Sequence, residues 1–209
     1  MSNDTIHVAI YDTWADWEPS YALAHLASGD WQPEGKKYRI VTVGETSDPI
    51  TTKGGITLAP DITIGELDPS TSAMLILPGA DTWLGGGNAG FVDAASRFLA
   101  GGVPVAAICG ATVGLASAGV LNERDHTSNA PQILESDAYT GQARYRDELA
   151  VTDGDLITAA GIAPVEFASA IFERLAFYDR SINDNWYLLY GRQDAAGFFG
   201  LMEAAGHGG

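Results

Sequence analysis

The run Val103-Pro104-Val105-Ala106-Ala107-Ile108 leads straight into Cys109-Gly110-Ala111-Thr112, and it constrains the fold more than any other stretch. A continuous apolar segment of this length, bounded by Gly101-Gly102 before and Gly110 after, reads as a strand buried on both faces of a parallel sheet. Cys109, the only cysteine in the chain, then stands at the carboxyl end of that strand, where a helix begins. In open α/β sheets ligands and reacting groups collect at that end. Small residues two positions either side, Ala107 and Ala111, suit a sharp strand-to-helix turn of the kind that holds a serine nucleophile exposed and strained. A lone cysteine at a strand end is as a rule a small buried hydrophobe. The flanking pattern and the acid at position 18 argue for the reactive alternative.

Around this run, strands and helices alternate. Ile6 to Tyr11 reads as the first strand, with His7 as a strand residue whose ring is satisfied. The turn Asp12 to Asp16 leads into a helix over Tyr21 to Ser28, closed by Gly29, with Asp16 as expected N-cap and Trp17, Glu18 and Pro19 in the first turn. Tyr38 to Gly44 is a second strand, and Ile50 to Ala59, with Gly54-Gly55 inside, a short hairpin or edge element. Ala73 to Gly79 is another apolar strand, ending in a Pro-Gly turn. Gly85-Gly86-Gly87 lacks the G-x-G-x-x-G spacing and any G-K-[ST], so it reads as a mobile rim beside a site and not as a nucleotide loop. Helices are predicted over Ala89 to Ala100, Ala111 to Ala118 and Val165 to Phe177, the first stopped by Gly101-Gly102. Ala143 to Val151 and Asp155 to Ala160 read as two strands joined by Asp153-Gly154. This alternation predicts an α/β fold with a mostly parallel sheet. A domain over residues 1–180 is followed by an aromatic-rich helical appendage over 181–209, either packed on the domain or placed at a dimer contact. His207 lies in a Gly-rich end that is expected to fray.

Composition excludes several classes. A formal charge of -16, with only 11 Lys and Arg among 209 residues, argues against nucleic acid and anionic membrane surfaces, which both demand a positive footprint. No apolar run is long enough to span a bilayer, and no basic segment followed by an apolar one marks a secretory signal. One cysteine excludes an intrachain disulfide and a cysteine-based metal cage. A cytoplasmic location follows as the default expectation, with no cofactor and no metal.

At Ala106-Ala107-Ile108-Cys109-Gly110-Ala111 the chain resembles the ThiJ/PfpI superfamily. Ala15-Asp16-Trp17-Glu18, Leu75-Ile76-Leu77-Pro78-Gly79-Ala80, Ser117 to Leu121 and Gly161 to Phe167 match further markers of that superfamily, in order, over about residues 5 to 180. The resemblance implies the flavodoxin-like three-layer sandwich shared with class I glutamine amidotransferase domains. It implies Cys109 as nucleophile and Glu18 as the acid at its sulfur, with the backbone amides of Ala80 and Gly110 as oxyanion donors. It also implies self-association, expected here as a homodimer.

Two departures bear on function. Protease-like members carry histidine directly after the cysteine, where this chain has Gly110; others carry a histidine where this chain has Asn129, after Thr127-Ser128. His126 lies three residues earlier and points to the opposite face of an extended segment. A bulge or register shift would be needed to bring it to Cys109, and otherwise it is a loop histidine bonded to backbone. Trp14, Trp17, Trp83 and the glycine loop are the expected pocket walls, with Asn129 beside them. The leading expectation is a Cys-dependent hydrolase or amidase-like enzyme acting on a small molecule. A glyoxalase-like or isocyanide-hydrating enzyme is the first alternative. A redox or stress-response protein oxidised at Cys109 is the second.

Overall fold

The computed structural model describes residues 4–206; His207 lies outside them. Strand β1 (Thr5–Ala9) is followed by helix α1 (Ser20–Ser28) and strand β2 (Arg39–Gly44). Two short strands, β3 (Ile50–Thr51) and β4 (Thr57–Leu58), and the brief β5 (Ile62–Thr63) precede β6 (Met74–Leu77). Helix α2 (Ala89–Ala100), strand β7 (Val105–Ile108) and helix α3 (Gly110–Ser117) form the centre of the chain. Strands β8 (Ala150–Asp153) and β9 (Leu156–Ala159) and helices α4 (Pro164–Arg174), α5 (Arg180–Tyr190) and α6 (Ala195–Ala204) complete it. Among the described residues no helix is long and apolar enough to cross a membrane.

The seven-stranded sheet runs β5-β2-β1-β6-β7-β9-β8, parallel throughout except for β8, which returns antiparallel to β9. This is the flavodoxin-like α/β arrangement. The continuous apolar runs are explained by their place in it: every residue of β6, β7 and β9 is buried, because helices cover both faces. Helices α1 and α4 pack against each other, as do α2 and α3. Strands β3 and β4 pair only with each other.

Three local expectations change. Residues 143–149 are not strand: a 3₁₀ turn occupies Gln142–Arg144, and β8 starts only at Ala150. The charged stretch from Arg144 to Glu148 has no apolar alternation to bury, and Arg146 instead clasps Asp125 through Nη2 at 2.8 and 2.9 Å. Helix α4 ends at Arg174 and not at Phe177, since Ala176 turns the chain with φ 45°. Asp16 does not cap α1; its carboxylate accepts from the Gly54 amide at 2.7 Å, and α1 starts after Pro19. His7 bonds Ser72 through Nδ1 at 2.9 Å.

The C-terminal helices join the main core. Trp186 on α5 is fully buried, its ring edge-on to Phe172, His25 and Tyr21. Its indole N–H donates to His25 Nε2 at 3.1 Å, so His25 carries its proton on Nδ1, facing the Tyr178 hydroxyl at 3.3 Å. Burial pushes the His25 pKa below its ordinary value, which keeps the ring in this neutral form. Truncating a buried Trp costs about 3–5 kcal/mol. Trp186→Ala is therefore expected to lose at least about 3 kcal/mol in urea unfolding at neutral pH, a loss too large for a helix that merely decorated the surface.

Candidate active site

Five connections converge at the carboxyl ends of the strands. The β1–α1 loop brings Glu18, the turn after β6 brings Gly79 and Ala80, the end of β7 brings Cys109, the turn after β9 brings Gly161, and the segment after α3 brings Asn129. Cys109 has φ 58° and ψ −123°, a conformation that costs a non-glycine residue about 1–3 kcal/mol. It is held there by its amide, which donates to Ala159 O at 3.0 Å, and by its carbonyl, which accepts from the Thr112 hydroxyl at 2.6 Å. Trp83 supports the turn from beneath. A Cβ on Gly114 would come within 2.4 Å of its ring and one on Gly110 within 3.2 Å of its side chain, so only glycine lets α3 start this close.

Glu18 is 1 % exposed. Its Oε2 accepts from the Gly79 amide at 2.5 Å, while Oε1 is buried without a hydrogen-bond partner. Burial raises its pKa to about 7, against the pull of the Gly79 amide, the neighbouring thiol and the Lys53 charge. Because Oε2 is the acceptor for Gly79, a proton on this carboxyl sits on Oε1. Glycines form the walls here. A Cβ on Gly79 would fall 2.7 Å from Glu18 Oε2, and one on Gly161 would fall 2.8 Å from Cys109 Sγ and 3.0 Å from Glu18 Oε1. Asn129 completes the ring: its Nδ2 donates to Sγ at 3.2 Å and its Oδ1 accepts from the Gly161 amide at 2.7 Å. Burial and the Glu18 charge push the thiol above its ordinary pKa, opposed by Asn129 and the Gly110 amide.

Two expected site residues lie elsewhere. His126 is fully buried, and both ring nitrogens are spoken for. Its Nδ1 donates to Arg124 O at 2.7 Å, which leaves Nε2 to accept from the Tyr139 hydroxyl at 2.8 Å. No bulge brings it to the thiol, and burial holds the ring neutral. Trp83 is not a pocket wall; its indole N–H is bonded to Pro78 O and the Tyr11 hydroxyl, both at 3.0 Å, under the elbow. Trp14 is likewise buried. Trp17 does line the site and donates from Nε1 to Gly161 O at 3.2 Å. Sequence reasoning missed Gly161, although a glycine directly after the apolar run Leu156 to Ala160 was a usable signal. It also missed Leu84, Ile133 and Ile162, which stand exposed around the thiol with Trp17.

Cys109 opens onto a small recess of about 100 Å³ between Ala80, Leu84 and Lys53, and onto a wider cleft of about 510 Å³ between Trp17, Ile162 and Pro164. Among the described residues no group of three or more His, Cys, Asp or Glu side chains could hold a metal ion.

A parallel sheet that ends in a strained cysteine elbow, with a buried glutamate against the sulfur, defines the class: a cysteine-elbow protein of the flavodoxin-like fold. Over residues 4–174 the sequence matches the model of the DJ-1/PfpI family, and the chain belongs to that family. It is 36% identical over 205 residues to the Bacillus subtilis (strain 168) protein named Uncharacterized protease YoaZ, covering 97% of this chain and 98% of that one. The crystal structure of a ThiJ/PfpI family protein from Bacillus anthracis superposes with a TM-score of 0.93 at 34% identity, covering 98% of each chain. A DJ-1 superfamily protein from Agrobacterium tumefaciens follows with a TM-score of 0.80, also at 34% identity, covering 91% of this chain and 99% of that one.

The raised pKa of Glu18 also has a stability consequence. Below the unfolded value of 4.5 the carboxyl is protonated in both states and its burial is nearly free. As pH rises through about 7, the unfolded chain sheds the proton more readily than the folded one and folding loses stability. A gap of this size corresponds to about 3 kcal/mol. Glu18→Gln, which still offers Gly79 an acceptor, is expected to raise the unfolding midpoint clearly at pH 8 and scarcely at pH 4, as followed by thermal melts at both.

Proposed function

We propose that this protein is a Cys-dependent hydrolase acting on a small acyl compound. The observation that carries the reading is the buried, unpartnered Oε1 of Glu18 beside the sulfur of a strained cysteine. An isolated buried carboxyl oxygen is costly, and a proton shared with Sγ offsets that cost. Carboxylate with thiol, and carboxyl with thiolate, are two positions of that one proton.

In the proposed reaction, Sγ attacks the acyl carbon as the thiol proton passes to Glu18 Oε1. The carbonyl π pair moves to oxygen, where the Ala80 and Gly110 amides receive it. Collapse of the adduct re-forms the carbonyl and breaks the bond to the leaving group, which takes its proton from Glu18. Water then attacks the thioester and gives a proton to the Glu18 carboxylate. The C–S bond breaks, and the proton returns to sulfur. One water is consumed, and an acid and the protonated leaving group are formed. A carboxyl titrating at about 7 is matched to give and take protons near neutrality.

Among the described residues no histidine is bonded to Cys109, which favours leaving groups that need little protonation, such as thiols and alcohols, over amines. Self-association as a homodimer belongs to the same proposal, since the aromatic side chains Phe198 and Phe199 on α6 remain exposed. Oxidation sensing is the weaker reading, because a thiol raised above its ordinary pKa reacts slowly with peroxide.

In a screen of small thioesters and activated esters, turnover is expected for the wild type and none for Cys109→Ala. For Glu18→Gln, kcat is expected to fall by about 10²–10⁴. The wild-type rate is expected to rise through pH of about 7, the range in which Glu18 becomes able to accept the thiol proton, and Glu18→Gln is expected to lose that limb.

A further inference from the structure

The β3–β4 hairpin has two residues per strand and no pairing with the main sheet. A two-stranded element of that size does not hold itself in water. It is pinned instead to the β1–α1 loop that carries Glu18. Thr13 N donates to Thr51 O at 2.8 Å, Thr51 N to the Asp12 carboxylate at 2.8 Å, Lys53 N to Trp14 O at 2.9 Å and Gly54 N to the Asp16 carboxylate at 2.7 Å. This docking sets Lys53 in the wall of the small recess, together with Cys109, Glu18 and Ala80. Among the described residues no other Lys or Arg lines the recess or the wider cleft. The Asp81 carboxylate, one residue beyond Ala80, binds the ammonium at 2.7 Å and holds it above the ordinary lysine range, so it stays charged at neutral pH. An ammonium has three N–H donors, and Asp81 occupies one.

We propose that Lys53 is the specificity-determining residue of the Cys109 site, and that it selects substrates bearing a carboxylate beside the carbon that the sulfur attacks. The inference rests on Cys109 as nucleophile. The recess of about 100 Å³ has room for a group of carboxylate size. The apolar remainder of the substrate faces the other way, into the cleft formed by Trp17, Ile162 and Pro164. Asp81 then has a role: it fixes the ammonium at the rim and leaves two of its three donors for a substrate.

The test compares two alkylating agents of nearly equal shape, iodoacetate and iodoacetamide. With either one, the thiolate sulfur forms a C–S bond and iodide departs, so the ratio of their rates at Cys109 is independent of the thiolate fraction. Referred to the same ratio for glutathione, the wild-type ratio is expected to favour iodoacetate by about tenfold, the scale of one charge-assisted hydrogen bond. Lys53→Gln is expected to return the ratio to the glutathione value, and Lys53→Arg to keep it. Lys36→Gln removes the same charge from the segment before β2, at the opposite end of the strands, and is expected to leave the ratio unchanged. A wild-type ratio at the glutathione value, or an equal fall in Lys53→Gln and Lys36→Gln, overturns the proposal while leaving the nucleophile in place. Failure of iodoacetamide to label Cys109 sinks the nucleophile reading, and this one with it.

Discussion

Burial of the Glu18 carboxyl is the costliest placement around the thiol, and the rest of the site follows from how that cost is met. A carboxylate removed from water must find donors or neutralise. Glu18 does both by halves: the Gly79 amide satisfies Oε2, and Oε1 is left for a proton. Gly79 can approach because it has no Cβ, and Gly161 closes the other side for the same reason. A larger residue at either position would displace the carboxyl or the sulfur. Two glycines that carry no chemistry themselves are therefore intolerant of substitution in this site.

Strain at Cys109 depends on the same framework. The positive φ persists because apolar β7 is buried on both faces and cannot slide, while Trp83, anchored by Pro78 and Tyr11, fills the space under Gly110 and Gly114. Pro78 precedes Gly79, so one turn after β6 supports the elbow from below through a carbonyl and binds the acid from above through an amide. Glu18 and Cys109 are thereby positioned against each other by a single short segment, and shifting that turn would disturb both.

Much of this was legible in the sequence. The buried strands announced themselves by unbroken apolar runs, and Cys109, Glu18 and Gly110 fell at strand-to-helix connections that a parallel sheet brings to one edge, while Asn129 came from the resemblance. What escaped depended on side-chain direction and long-range docking. The fate of His126 was decided by Tyr139, thirteen residues on, whose hydroxyl claims the nitrogen that a catalytic base would need. Trp83 looked like a pocket aromatic because it follows the Pro-Gly turn, yet the 3₁₀ turn over Asp81–Gly85 rolls it inward and leaves Leu84 at the surface. The strand expected over 143–149 was lost to the pull of Asp125 on Arg146, a contact between residues with no local pattern to reveal it.

The hairpin is the clearest case of position set by tertiary contact alone. Nothing in Ile50 to Ala59 marks it as part of a site, and its own pairing is too short to fix its orientation. Four bonds to the β1–α1 loop fix it, and that loop is already committed to placing Glu18. The acid and the lysine therefore move as one unit relative to the elbow. In a chain with a formal charge of -16, a distant anion meets a repulsive field. That field is screened over about 10 Å at ordinary ionic strength, so inside the recess the nearby Lys53, Asp81 and Glu18 side chains set the field. The proposed selection by Lys53 therefore acts at close range, beside the sulfur, and gains nothing from long-range steering. On the proposed reading, discrimination rests on one functional group of the substrate, and the exposed apolar rim of Trp17, Leu84 and Ile162 tolerates variation in the rest.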